Sequence, residues 1–451
     1  MLFYLFAALR PHFSALNVFR YITVRTALAT LTSLTLALVF GPWMIARLRE
    51  LQVKQYIRDE GPKAHQKKAG TPTMGGLLIV AAITISTLLW ADLRNPYVLL
   101  AVAATLSFGT IGFVDDYNKV VRRRNLGLTA KRKFFFQVLT CVFVGAVLLG
   151  LQVKGVYSTQ LSVPFLKRLH PDLVIDSLLT HRFIWPLAYV PFVLFLVIVI
   201  AGFSNGVNLT DGLDGLAIGC VLISSVALTV ITYVSSNARF AEYLEIQRIP
   251  DAAELTIFCG SLVGASLGFL WYNAHPAEMF MGDVGSLALG GAISTVAVII
   301  KQELLLPFIG GIFVIEGLSV ILQVGSYKLR KKRIFKMAPL HHHCRRGFDR
   351  AHLCRRTCGL RRLPGVAAHA DGGRGDRLLR GHGRGEHRLP LVQRPPGGDL
   401  HGRRGLAGAG GSDRHRGHHY STRAAAALYR RYLYSGSGLG HPAGGQLQAA
   451  Q

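Results

Sequence analysis

Apolar and polar positions alternate in long blocks along the first three-quarters of the chain. Nine apolar runs fall at roughly 24–46, 73–91, 97–116, 134–152, 186–203, 213–234, 254–271, 284–300 and 304–327. A hydrocarbon core about 30 Å thick takes about 20 residues of helix, so each run is predicted to cross a bilayer as a helix. The expected fold is all-α, a polytopic helical bundle in a membrane. The polar residues are patterned too. Four clusters, FVDDYNK (113–119), FSNGVNLTDGLDGL (203–216), YNAHPAEMFMGDVGS (272–286) and KMAPLHHH (336–343), sit at the same ends of these runs. Carboxylates and amides beside apolar runs are costly unless they face a wet, protein-lined cavity, so clusters of them mark a functional site. Glu316, inside the ninth run, is expected to pack within the bundle for the same reason.

Basic residues set the expected orientation. When the connections are assigned alternately, one side (47–70, 117–133, 203–212, 272–283, 328–343) holds about 20 Lys and Arg and the other about 11. The rich side is read as cytoplasmic, which places the N-terminus outside and all four clusters on the cytoplasmic face. The apolar opening MLFYLFAAL is broken by Arg10 and His12 and has no small-residue cleavage site, so it reads as an interfacial lead-in.

Composition divides the chain. Residues 1–343 hold all 14 lysines, whereas 344–451 hold 20 Arg, no Lys, Ile or Asn, and 6 acidic residues, so about half of the net +27 comes from the last quarter. Residues 1–343 are read as the membrane domain. Segment 344–451 has no apolar run and no repeat, and resembles GC-rich DNA translated out of frame. The alternative is an arginine-rich segment for nucleic acid or anionic lipid, but such segments usually repeat; nucleic acid is not an expected partner. Cys141, Cys220 and Cys259 lie within apolar runs as inert thiols, and no disulfide framework is implied.

The clusters suit one kind of chemistry. Asp115 and Asp116 repel one another and need a cation or the following basic residues, among them Lys119, Lys131 and Lys133, to be stable. They read either as a salt-bridged helix end or as a base or metal-facing dyad. Asn205, Asn208, Asp211 and Asp214 recur every three residues and would drift along one face of a helix. Their oxygens are hard ligands suited to Mg²⁺, which bridges phosphates. Asp283 opens the eighth run, as a dipole-stabilising cap or as a ligand, with Asn273 and His275 just before it. His341, His342 and His343, a run of three in one loop, are read as suiting phosphate or sugar better than zinc. KKAGTPTMGG (67–76) offers lysine charge and a Gly-rich turn at a helix start, an anion site without Walker spacing. The sum is Mg²⁺-assisted chemistry on a phosphate or diphosphate, with one substrate in the membrane.

In this order KKAGTPTMGG, FVDDYNK, NLTDGLDGL, FMGDVGS and MAPLHHH resemble the bacterial phospho-N-acetylmuramoyl-pentapeptide transferases, within the polyprenyl-phosphate N-acetylhexosamine-1-phosphate transferase superfamily. The resemblance covers residues 1–343. It implies transfer of phospho-N-acetylmuramoyl-pentapeptide from its UDP carrier to undecaprenyl phosphate, giving lipid I and UMP, with Mg²⁺ as cofactor, at the bacterial inner membrane. Carried over by motif, Asn208 and Asp283 hold the ion, and Asp115 and Asp116 serve the lipid phosphate. Asn205, Asp211, Asp214, Asn273 and Phe280 line the nucleotide side, and Lys68, Lys133 and the three histidines contact phosphate or sugar. Membrane lipids are implied as surroundings, and a homodimer is compatible with the reading. The family continues past its histidines to a tenth span; here nine are expected. A transferase for another UDP-sugar and an ion-coupled transporter are the alternatives, the latter disfavoured because its acids would lie near the midplane across two repeats.

Overall fold

A computed structural model describes residues 1–51, 71–121, 127–164, 166, 169–175, 185–335 and 337–341. Lys68, His342, His343 and the whole 344–451 segment lie outside the described residues, so the expectations placed on them are not addressed below. Each of the nine apolar runs contains a helix: α1 (Ile22–Glu50), α2 (Gly76–Trp90), α3 (Pro96–Val121), α4 (Ala130–Val153), α5 (Pro186–Thr210), α6 (Leu216–Ser236), α7 (Leu255–Asn273), α8 (Gly282–Ile299) and α9 (Gly311–Arg330). Eight of these are long and apolar enough to cross a membrane; α2, at 15 residues, is shorter. Among the described residues there is no strand; isolated bridge positions occur, as in the antiparallel pair Gln160 and Asp172.

Two helices form the axis. Every residue of α8 from Val284 to Ile299 is buried, and most of α7 is too. A helix apolar all round belongs in the centre of a bundle, and small residues in GDVGSLALGGAIS let its neighbours come close. α8 packs against α3, α5, α2 and α6, while α7 packs against α1, α6 and α2. The Ser204 hydroxyl of α5 donates to the Leu287 carbonyl of α8 at 3.0 Å. The outer helices expose apolar faces, such as Phe134, Phe135, Leu139 and Phe143 on α4 and Ile315, Leu318 and Ile321 on α9. Such faces suit lipid, since the helical backbone satisfies its own hydrogen bonds.

Four boundaries differ from the sequence expectation, each for a local reason. α3 does not stop at Asp116; it runs on to Val121, because Lys119 reaches back to the carboxylates and removes the cost of continuing. Residues 203–210 are not a connection. After a π-turn at Val197–Ala201 the fifth span resumes as an α-helix over Gly202–Thr210, so only 211–215 turn. α2 begins at Gly76 rather than 73, because the preceding strand-like segment bonds to the 280–281 backbone. Gly75 N–H donates to Phe280 O at 2.9 Å and Gly76 N–H to Met281 O at 2.8 Å. The ninth run is interrupted at Gly310, between a short helix Leu306–Ile309 and α9.

The end of the bundle away from the clusters is closed by buried charge. Arg25, 3% exposed, pairs with both oxygens of Glu254 at 2.5 and 2.8 Å, and Glu254 also accepts from the Asp92 N–H at 3.0 Å. Lys301 is buried there against the Tyr157 hydroxyl (3.0 Å) and Glu303 (3.4 Å).

Candidate active site

Where α3 passes the start of α8, their polar residues meet. Asp115, Asp116 and Lys119 are spaced i, i+1 and i+4, so all three reach one side of α3. Asp283, in the first turn of α8, faces them. Carboxylate oxygens of Asp115, Asp116 and Asp283 lie within 4.8 Å of one another. Lys119 Nζ sits among them, 2.6 Å from Asp115 Oδ2, 3.2 Å from Asp116 Oδ1 and 2.7 Å from Asp283 Oδ2. Lys133, from the start of α4, lies 2.9 Å from Asp283 Oδ2 and 3.9 Å from Asp115 Oδ2. Each aspartate of the DD pair has its second oxygen on backbone. Asp115 Oδ1 accepts from Leu128 N–H (2.7 Å), and Asp116 Oδ2 accepts from Val284 N–H (3.2 Å) at the positive end of α8. Gly282 makes this approach feasible: its φ is +72°, and a Cβ there would lie 2.5 Å from Asp116 Oδ2.

The amides complete the wall. Asn208 lies one turn below the end of α5. With its oxygen turned toward Lys133 (3.2 Å), its nitrogen donates to Asp283 Oδ1 and Ser286 Oγ, both at 2.9 Å, which satisfies donor and acceptor at once. Asn205 is held further back. It exchanges amide bonds of 2.8 and 3.2 Å with Gln137 of α4, and donates to the Ala201 carbonyl at 2.8 Å.

Asp211 and Asp214 do not continue that helical face, contrary to expectation. The helix ends at Thr210, so Asp211 is its terminal residue and Asp214 lies in the following turn. Asp214 Oδ2 is 3.1 Å from His275 Nδ1 and accepts from the Ala277 N–H at 3.4 Å. Loss of hydration first, and then the charges of Asp283, Asp116 and Asp214, push the Asp211 carboxyl up to about 7. Asn273 is buried and engaged by backbone on both sides, accepting from Gly215 N–H (3.0 Å) and donating to Met279 O (2.9 Å). It ties the 211–215 turn to the 275–281 loop. Phe280 is half-buried and its N–H donates to Pro72 O at 2.9 Å. His341, 5% exposed, reaches the same turn: its ring packs so closely on Gly212 that a Cβ there would clash with Nε2.

All four clusters therefore reach one end of the bundle. Lys119, named from sequence among the basic residues able to pair with the DD pair, does so through its i+4 and i+3 spacing. Two residues important to the geometry, Ser286 and Gln137, were not singled out from sequence. Ser286 lies i+3 from Asp283. Gln137 carried no signal beyond being a polar residue in an apolar run. The donor set is three carboxylates and a carboxamide oxygen, all hard oxygens. That set fits a Mg²⁺-sized hard cation and does not resemble a site for a soft metal.

A bundle of membrane helices with carboxylates, amides and lysines gathered at one end is the form of an integral-membrane phosphoglycosyl transferase, and comparison with known proteins agrees. The profile of Glycosyl transferase family 4 matches residues 98–301, which include Asp115, Asp116, Asn208 and Asp283. Phospho-N-acetylmuramoyl-pentapeptide-transferase signature 1 matches residues 68–80. The chain is 64% identical over 337 residues to the phospho-N-acetylmuramoyl-pentapeptide-transferase of Koribacter versatilis, covering 75% of this chain and 89% of that one. It is 65% identical over 339 residues to that of Acidobacterium capsulatum (75% and 90%) and 51% over 343 residues to that of a Geobacter species (76% and 91%). The chain belongs to the phospho-N-acetylmuramoyl-pentapeptide-transferase family.

Proposed function

We propose that the protein transfers phospho-N-acetylmuramoyl-pentapeptide from UDP-N-acetylmuramoyl-pentapeptide to undecaprenyl phosphate, releasing UMP and forming lipid I. The observation that carries this reading is the meeting of Lys119, Lys133, three aspartates and Asn208 at one end of a buried axial helix. An oxygen of the lipid phosphate attacks the sugar-bound phosphorus, and the bond from that phosphorus to the bridging oxygen breaks, leaving with UMP. Asp115 and Asp116 serve the lipid phosphate as base or orienting groups; their backbone bonds to Leu128 and Val284 fix the carboxylates in place. The ammonium groups of Lys119 and Lys133 are assigned to the charge that grows on the phosphoryl oxygens, as a fixed field that needs no reorganisation. Asn208 and Asp283 would hold Mg²⁺, and the ion would supply Lewis-acid neutralisation of the diphosphate there. Asn205, Asp211, Asp214, Asn273 and Phe280 line or shape the nucleotide side, with Asn273 doing so through the two loops it joins. Lys68 and the histidine run are assigned to phosphate or sugar.

The same end of the bundle is the one rich in Lys and Arg, which supports a cytoplasmic site in the inner membrane with the N-terminus outside. The direct test is UMP release from UDP-N-acetylmuramoyl-pentapeptide, with and without undecaprenyl phosphate. Release that depends on the lipid is expected. Release only from a different UDP-sugar in a panel would reassign the donor, and none from any donor would refute the reading.

A further inference from the structure

α9 carries a polar stripe that the chemistry above does not use. Glu316, Ser319 and Gln323 are 6%, 2% and 1% exposed, at i, i+3 and i+7 on one face. Ile312, Ile315, Leu318, Ile321 and Leu322 are exposed on the rest of the helix. A carboxylate and a carboxamide persist inside a span only when their polar atoms are occupied. What occupies them is the chain returning from the end of α9. Gln323 Oε1 accepts from Ile334 N–H (3.1 Å) and Phe335 N–H (2.8 Å), and its Nε2 donates to Phe335 O (3.1 Å). Two turns away, Glu316 Oε2 accepts from Leu340 N–H at 2.6 Å and Oε1 from His341 N–H at 2.8 Å. Oε1 is also 3.5 Å from His341 Nδ1. The segment is stitched along the helix, and its last described residue arrives against Gly212, next to Asp211.

From this geometry we infer that Glu316 is the positioning residue of His341: its carboxylate anchors the Leu340 and His341 amides and so sets His341 over the 211–215 turn. It acts through His341 and touches no substrate. The two donors approach two different oxygens, an arrangement only a carboxylate satisfies, since glutamine would turn an NH₂ toward one of the N–H groups. The consequence for turnover rests on the transferase reading; the anchor itself does not.

The test uses the full chain in detergent micelles, comparing wild type, Glu316→Gln, Glu316→Leu, His341→Ala and the Glu316→Gln/His341→Ala double variant. Hydrogen exchange is followed over 337–341, with α8 as internal reference, beside kcat and KM for the UDP donor. In Glu316→Gln, exchange at Leu340 and His341 rises at least about tenfold while α8 is unchanged, and kcat falls about tenfold or more, the scale of a misplaced group. Added to His341→Ala, the same change costs less than about twofold, because its effect runs through that ring. Unchanged exchange at 340–341 in both single Glu316 variants would overturn the anchor, as would a kcat loss that multiplies in full on His341→Ala. Exchange needs no substrate, so a chain lacking transferase activity would sink the functional reading while the anchor was still measured.

Discussion

Lys119 is the sharpest place to test the site, because one ammonium is shared by three carboxylates. In Lys119→Met the apolar stem is kept and the charge is lost. Breaking a buried ion pair costs about 3–5 kcal/mol, since the partner charge is left uncompensated. Here the lysine side chain is one-third exposed and Lys133 remains 2.9 Å from Asp283, so we discount the loss to about 2–3 kcal/mol. At about 2–4 °C per kcal/mol this is a fall of roughly 4–12 °C in the apparent melting temperature. The assay is a thermal shift in detergent, in EDTA and then across a Mg²⁺ titration. Mg²⁺ is expected to raise the melting temperature more in Lys119→Met than in wild type, because a divalent cation replaces the missing charge between carboxylates within 4.8 Å of each other. A variant as stable as wild type in EDTA would refute the counter-ion argument. An identical response to Mg²⁺ in both proteins would refute the cation site.

Asp283→Ala and Asn208→Ala should each shift the Mg²⁺ concentration needed for half-maximal UMP release; an unchanged Mg²⁺ response in both rejects them as ligands. Gly282→Ala places a Cβ at φ +72° and 2.5 Å from Asp116 Oδ2, with a strain of about 1–2 kcal/mol. It should lower turnover at least about tenfold, and full turnover would show that the Asp116 position is not critical. Gln137→Leu leaves the Asn205 amide without its α4 partner, a loss of about 1–3 kcal/mol, read as a lower melting temperature and a raised KM for the UDP donor. Arg25→Met, at the far end, strands Glu254 at a cost of about 3–5 kcal/mol and should lower the melting temperature with kcat per folded molecule unchanged.

Much of the fold and the site was legible because membrane burial makes polar residues informative. An aspartate pair or an NxxD repeat beside an apolar run has few structural uses, and Asp115, Asp116, Asn208 and Asp283 do converge. What was not legible depended on where helices end. The DD pair was placed at a helix terminus because hydropathy falls at Asp116, but hydropathy cannot see that Lys119, one turn on, neutralises the carboxylates and lets α3 continue. The same limit hid the helical 203–210 stretch, whose backbone is satisfied internally whatever its side chains. It also made Asp211 and Asp214 look like further steps on one face, when the break at Thr210 sends Asp214 to His275. Partners distant in sequence, such as Gln137 for Asn205 and the 334–341 backbone for α9, have no periodic signature at all.

The position of Asp283 explains why the site can be both charged and rigid. It stands in the first turn of α8, whose residues from Val284 to Ile299 are all buried, so the helix behind it is held on every side by its neighbours. The helix start offers Val284 N–H to Asp116, and the positive end of the axis favours the negative groups gathered there. Crowded carboxylates would otherwise spread apart or take up protons. Confinement by α3 and α5 prevents the first, and the two lysines oppose the second. The cluster is therefore held together by Lys119 and Lys133, whose ammonium groups reach Asp283 from α3 and α4.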